Sequence, residues 1–384
     1  MHIVDVCGFY SPEGGGIRTY IEQKLRIGPQ LGHEIVVIVP GEEHAIVERG
    51  PGASIVTLPS PRFPLDRKYG YFADEAALHA ALDAQKPDVV EVSSPWRSPA
   101  MVARWQGNAR RSLVMHADPL SAYAYRWFEP FLARSRIDRG FERYWDHLRE
   151  LGVAFDMTVC ANHDLAGRLR AGGVSGVRVH PLGVETGVFT PERRDPELRA
   201  RLLALCGLDP NARLLVAAGR LAPEKRWPMV VDAVVAASAQ VPVGLVLFGE
   251  GREKRAIRSA IAGNPHVRLF EPERDRFAFA AILASADAVV HGCEAETFCM
   301  VGAEARASGT TVIVPDAGGA ADHALNGGGL TFKAGNRFSL ANAIVKFCES
   351  PQIPQGQRKV VSNLQHFEGL FAAYGELRRS VRAA

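Results

Sequence analysis

Ala288-Val289-Val290-His291-Gly292-Cys293-Glu294-Ala295-Glu296-Thr297-Phe298-Cys299-Met300-Val301-Gly302-Ala303-Glu304-Ala305-Arg306-Ala307-Ser308-Gly309 is the most informative stretch of the chain. Its apolar start reads as a short strand, and residues 301–307 read as a helix. Glu296 falls in the loop between them, and Glu304 falls about one turn into the helix. Facing a cleft, one carboxylate would accept hydrogen bonds from sugar hydroxyls and the other from ribose hydroxyls. The N–H groups of Cys299, Met300 and Val301 would point at phosphate oxygens. The alternative is a pair of acids that only complements the helix dipole.

The same rhythm runs outward in both directions. Apolar runs at 214–218, 244–248, 267–270, 288–291 and 311–315 alternate with helix-length segments such as 226–239 and 253–262. An earlier series at 3–7, 34–39, 89–92, 112–116, 157–160 and 177–180 encloses segments such as 17–27 and 75–85. Strand and helix in alternation predict parallel sheets covered on both faces, which bind ligands beyond the carboxyl ends of their strands. Between the two series the polar segment Thr190-Pro191-Glu192-Arg193-Arg194 marks a break. The expected fold class is α/β in two domains, 1–185 and 186–363, with a helix over 364–384 placed to pack back on the first.

Composition narrows the function. Hydrophobic residues at 47% and charged residues at 23% describe a soluble globular chain, and a net charge of +3 gives no case for nucleic acid. Cys7, Cys160, Cys206, Cys293, Cys299 and Cys348 form no C-x-x-C pair and read as reduced, buried thiols. The start of the chain reads as a strand rather than a signal peptide, and no apolar run approaches ~20 residues. The expected location is cytoplasmic.

Two further segments carry chemistry. Gly14-Gly15-Gly16 joins the first strand to a helix, where free N–H groups and the dipole suit a diphosphate, although many turns need glycine for their backbone alone. It is not G-x-G-x-x-G, so a dinucleotide fingerprint is absent. In Gly219-Arg220-Leu221-Ala222-Pro223-Glu224-Lys225, Arg220 follows a strand and Lys225 precedes a helix. Two cations converging there would hold a diphosphate, the guanidinium as a fork and the ammonium as a point charge. The plainer reading is two solvated surface cations.

Taken together these segments resemble retaining glycosyltransferase family 4, of GT-B fold, along almost the whole chain. Glu296 and Glu304 match its Glu-x7-Glu motif with Phe298 between them, and Gly219, Arg220, Glu224 and Lys225 match its Gly-Arg and Glu-Lys element. Gly183-Val184-Glu185 looks like its Gly-Val-Asp linker and Gly249-Glu250-Gly251 like its Gly-x-Gly. The resemblance implies two Rossmann-like domains facing a cleft, the first binding acceptor and the second the nucleotide sugar. It implies that Arg220 and Lys225 neutralise the donor diphosphate, that Gly15 and Gly16 close on it, and that Glu304 binds ribose and Glu296 the sugar. Gly219, Phe298, Cys299, Met300 and Val301 would complete the donor site. His116 matches a strand-end histidine that touches the donor sugar near the reacting carbon.

The family retains anomeric configuration and uses no metal or other cofactor. No Asp-x-Asp occurs here as a ready-made metal site, so cations would replace the ion. Two positions depart from the pattern: Glu296-Thr297-Phe298-Cys299 stands where Glu-Gly-Phe-Gly is common, and Gly318-Gly319 is followed by Asp322 rather than a glutamate. The implied partners are a nucleotide-sugar donor and a glycan or lipid-linked acceptor. Rival functions are a nucleotide-sugar epimerase of the same plan and a non-catalytic nucleotide-sugar-binding protein. Between 104 and 149, arginines interleave with Trp105, Tyr123, Tyr125, Trp127, Phe128, Phe131, Phe141, Tyr144 and Trp145. These are either core aromatics with solvated arginines or a peripheral surface that docks on anionic lipid.

Overall fold

The structure is a computed structural model, and it describes residues 1–11, 15–63, 69–327, 329–350 and 360–382. It divides into two compact units. The first comprises Met1–Asp118, Phe128–Leu182 and Asn363–Ala384, and the second Pro119–Trp127 and Gly183–Ser362.

The first unit holds strands β1 (His2–Cys7), β2 (Glu34–Gly41), β3 (Ala45–Gly50), β4 (Ala53–Pro59), β5 (Val89–Ser93), β6 (Arg110–Val114), β7 (Met157–Cys160) and β8 (Val177–Val179). They form one sheet in the order β3-β4-β2-β1-β5-β6-β7-β8. Every pairing is parallel except β3 with β4. This hairpin over 45–59 was not legible, because its outer strand is nearly all exposed and lacks an apolar face. The second unit holds β9 (Arg213–Ala218), β10 (Val243–Phe248), β11 (Val267–Phe270), β12 (Ala288–Val290), β13 (Thr311–Pro315) and β14 (Leu330–Phe332). Their order is β11-β10-β9-β12-β13-β14, all parallel. Both sheets are doubly wound, with the direction of winding reversing between β1 and β5 in one and between β9 and β12 in the other.

Buried strands of this kind are apolar throughout, as β10 is, because helices cover both faces. The helix Trp227–Ser238 buries Trp227, Val230, Val231, Val234 and Ala237 at helical spacing against this sheet. Each of the three valines contributes roughly 1.5–3 kcal/mol. In the first unit the helix Gly16–Gln30 packs Tyr20, Ile21 and Leu25 beside Phe367, Leu370, Phe371 and Tyr374 of the helix Asn363–Arg382.

A buried charge cluster lies inside this first core. Lys24 Nζ sits 2.7 Å from Asp5 Oδ2 and 2.6 Å from Glu91 Oε1, with all three side chains fully buried. Tyr20 and Tyr374 both donate their hydroxyls to Glu91, at 3.3 and 2.7 Å. Burial pushes the Asp5 carboxyl up to about 6, against the pull of Lys24. The signal for this cluster was present in the sequence: Lys24 falls on the apolar face that Tyr20, Ile21 and Leu25 define.

Candidate functional site

Strands β9 and β12 are neighbours whose connections leave on opposite sides of the sheet, so the loops after them open a crevice at the carboxyl edge. The loop after β9 carries Arg220 and the short 3-10 turn Pro223–Lys225. The loop after β12 carries Glu294 and Glu296 and runs into the helix Met300–Ala307. The first loop is seated on the next connection: Leu221 N–H donates to Glu250 O at 2.8 Å, and a Cβ on Gly249 would stand 2.2 Å from Gly219 O. Gly249 is therefore glycine because a neighbouring backbone occupies the space of a side chain.

Lys225 Nζ donates to Glu296 Oε1, and His291 Nε2 lies 2.9 Å from the same oxygen. Burial pushes the Glu296 carboxyl up, but the Lys225 ammonium and the His291 contact outweigh it and hold the group well below the usual carboxylate range. Burial pulls Lys225 down, and the Glu296 charge overrides it, so Lys225 is held above its ordinary value. The loop is thus a fixed ion pair at neutral pH. Beside it, Arg226 binds Glu294 through both Nε and Nη2, with Nε 2.8 Å from Oε2. Arg220 instead turns outward, 74% exposed, and reaches Glu224 at 3.1 Å.

The start of the helix Met300–Ala307 faces the same loop. Its first backbone bonds run from the N–H groups of Gly302 and Ala303 to Cys299 O, so the N–H groups of Met300 and Val301 precede the ladder. Cys299 caps this end in the left-handed conformation, φ 68°, which glycine adopts without strain. Burial pushes its thiol well up, so it is neutral. Phe298 is buried with its ring edge-on to His323, centroids 4.9 Å apart. The loop rests on the helix Gly318–Gly327: Gly319 N–H donates to Glu296 O at 2.6 Å, and a Cβ on Gly319 would meet the backbone of Thr297 and Phe298 at 2.7 Å.

Glu304 is buried one turn along, and burial raises its carboxyl to about 7 despite Arg276, whose Nη2 lies 3.9 Å away. Arg276 also holds Glu185 at 3.1 Å. Among the described residues, Glu304 shares no hydrogen bond or ion pair with Glu296.

The remaining predicted residues belong to the first unit. Gly15 caps the helix Gly16–Gln30, and among the described residues a Cβ at either Gly15 or Gly16 meets nothing within 4 Å. Pro12, Glu13 and Gly14 lie outside the described residues. His116 follows β6, its ring edge-on to Tyr20 with centroids 4.7 Å apart. Burial lowers its imidazole to about 4, against the attraction of Glu91, so the ring is neutral at pH 7.

Sequence reasoning missed Arg226–Glu294, His291 and His323. The adjacent cations Lys225-Arg226 and the Glu294-x-Glu296 spacing were the readable sign of two neighbouring pairs. His291, Glu296 and Cys299 are, among the described residues, the one group of metal-ligating types close together, within 4.8 Å.

A model of "Glycosyltransferase Family 4" matches residues 14–210, and one of "Glycosyl transferases group 1" matches residues 206–363. The chain is 30% identical over 333 residues to a GDP-mannose-dependent alpha-mannosyltransferase of Mycobacterium tuberculosis, covering 84% of this chain and 81% of that one. It is 29% identical to a GDP-mannose-dependent alpha-(1-6)-phosphatidylinositol dimannoside mannosyltransferase of the same organism, covering 82% of this chain and 79% of the relative. In structure it is similar to sucrose-phosphate synthase from Thermosynechococcus elongatus, with a TM-score of 0.71 at 20% identity over 100% of both chains. The chain therefore belongs to glycosyltransferase family 4, has the GT-B fold and is a glycosyltransferase.

Proposed function

We propose that this glycosyltransferase moves a hexosyl group, with retention and without a metal ion, from a nucleotide-diphosphate sugar to a hydroxyl of a glycan or lipid-linked acceptor. The observation that carries the reading is the Lys225–Glu296 pair at the switch point of the second sheet, beside the N–H groups of Met300 and Val301. A diphosphate in this crevice meets the Lys225 ammonium, the exposed fork of Arg220 and two backbone donors, which together offset its charge. Glu296, kept ionised, accepts from the hydroxyls of the sugar. Glu304 accepts from the ribose. GDP-mannose is the first donor to test, because the two relatives described above carry it in their names.

In the proposed step the acceptor oxygen bonds to the anomeric carbon on the face from which the diphosphate leaves. The bond from that carbon to the β-phosphate oxygen breaks, and the acceptor's proton passes to the departing phosphate. No protein base is then required, and catalysis rests on positioning and on charge placed where the leaving group develops it. Metal independence is supported by the chemistry of the candidate ligand group His291, Glu296 and Cys299. The Glu296 oxygen is already shared by an ammonium and an imidazole, and the Cys299 thiol is held protonated.

The test is turnover of GDP-mannose, UDP-glucose and ADP-glucose over an acceptor panel, with and without EDTA, and the anomeric configuration of the product read by NMR. An inverted product, or activity that EDTA abolishes and magnesium restores, would sink the proposal. Isomerised donor in the absence of acceptor would establish the epimerase instead.

A further inference from the structure

The segment from Phe128 to Arg143 of the first unit carries a surface that the donor chemistry does not use. The N–H groups of Phe131 and Leu132 donate to Phe128 O at 2.9 and 2.8 Å, which gathers Phe128, Phe131 and Leu132 on one turn. All three side chains are exposed, Phe131 by 83%. The helix that follows, Arg134–Gly140, buries only Ile137 and leaves Arg134, Arg136 and Arg139 outward. Phe141 and Arg143 beyond it are exposed as well, and so is Trp127, next to the segment in the chain. Of the aromatics in this arginine-rich stretch, Trp105, Tyr125 and Trp145 are core, while Tyr123, Trp127, Phe128, Phe131 and Phe141 are not.

The charge around these apolar side chains identifies what covers them. Glu129 is held by Arg134 at 2.6 Å, Glu142 by Arg149, and Asp138 accepts the Trp145 indole N–H at 3.3 Å. A bond from a neutral indole leaves Asp138 its charge, and the outward guanidinium groups of Arg136, Arg139 and Arg143 outnumber it. A second copy of the same face would bring these arginines against one another. A bilayer of anionic lipid would not: its phosphates meet the guanidinium groups while aromatic and leucine side chains enter the headgroup boundary.

We propose that the turn 128–132 and the helix Arg134–Gly140 dock this chain on the surface of an anionic lipid bilayer. The docking is peripheral, since among the described residues no helix is long and apolar enough to cross a membrane. It adds to the proposed transfer a surface on which it occurs, and it rests on the 128–143 side chains rather than on the donor site.

The test is co-sedimentation of the full chain with vesicles of phosphatidylcholine alone and of phosphatidylcholine mixed with phosphatidylglycerol, at low and high salt. The expected result is binding to the mixed vesicles that weakens with salt. Phe131→Ser and the double variant Arg136→Glu/Arg139→Glu should each lower the bound fraction by about tenfold. Both variants change exposed side chains, so their melting temperatures should match the parent chain. Recovery that is equal with charged and neutral vesicles, or variants that bind as the parent does, would overturn the proposal. So would a dimer that Phe131→Ser converts to monomer without any vesicle binding. The thermal shift given by GDP-mannose should be the same in all variants, so a failure here is separable from a failure of the donor assignment.

Discussion

Arg226 grips Glu294 through both Nε and Nη2, one rung along from Lys225 and Glu296. Two consecutive cations after β9 thus face two acids of the loop after β12, and the second rung braces the first. Arg226 stands in the left-handed region at φ 52°, and the two-nitrogen grip of its guanidinium on Glu294 offsets that strain. Arg226→Ala should destabilise the fold by about 1–3 kcal/mol and leave Glu296 less well placed. Turnover should fall at least tenfold or so while donor affinity changes less. A double-mutant cycle with Glu294→Ala measures the coupling, and additive effects would show that the brace is not one.

Removing the charges that face the diphosphate should act on the chemical step. Lys225→Ala and Arg220→Ala should each lower turnover by orders of magnitude. Arg220 is exposed, so its variant should melt as the parent does, whereas Lys225→Ala also strands Glu296 and should melt lower. Steady-state kinetics with thermal melts separates the two, and unchanged turnover in both defeats the assignment.

Gly319→Ala asks for a Cβ at 2.7 Å from the backbone of Thr297 and Phe298, where no flexible side chain can move aside. The loop carrying Glu296 must shift. We expect a loss of activity out of proportion to a stability cost of about 1–3 kcal/mol. Wild-type turnover in a folded variant would show that the loop tolerates displacement.

Lys24 is the common partner of Asp5 and Glu91 in a site with no water-facing side chain. Lys24→Met leaves two carboxylates buried beside each other and should cost about 3–5 kcal/mol, or prevent folding. The triple replacement of Asp5, Lys24 and Glu91 by apolar residues should recover most of that loss. Urea denaturation of both variants checks the comparison.

Acid should unfold this protein through its histidines. Burial holds His116 and His323 at about 4 and His366 at about 3, against 6.5 ordinarily. As pH falls through 6.5 the unfolded chain binds protons that the folded one refuses, so stability is lost between about pH 6.5 and 3. Glu304, raised from 4.5 to about 7, acts in the opposite sense, since the folded form keeps a proton that the unfolded chain releases. Glu304→Gln should therefore steepen the loss of stability between pH 7 and 5, measured by urea melts across that range. A shallower slope in the variant would contradict the sign.

The alternation of apolar runs and helical segments made both sheets legible, because each strand of a parallel sheet must be apolar on two faces. The edge strands β3 and β14 escaped, having little to bury, and β4 escaped with its partner although it lies inside the sheet and buries Ile55, Val56 and Leu58. Among the site residues, the sequence brought Lys225 and Glu296 into one proposal, and the structure joins them directly. It did not reveal that Arg220 turns away to Glu224, since an exposed side chain has no packing to fix its direction. Cys299 looked like an intrusion on a glycine position. Its left-handed backbone explains why glycine suits that place.

The helix Asn363–Arg382 completes the first unit, yet the ribosome makes it only after nearly all of the second. Until Phe367, Phe371 and Tyr374 emerge, the nascent chain must carry an unfinished hydrophobic face over Tyr20 and Ile21 and an under-bonded Glu91. The later-made unit is thus positioned to mature first, and the earlier-made one waits for its final helix.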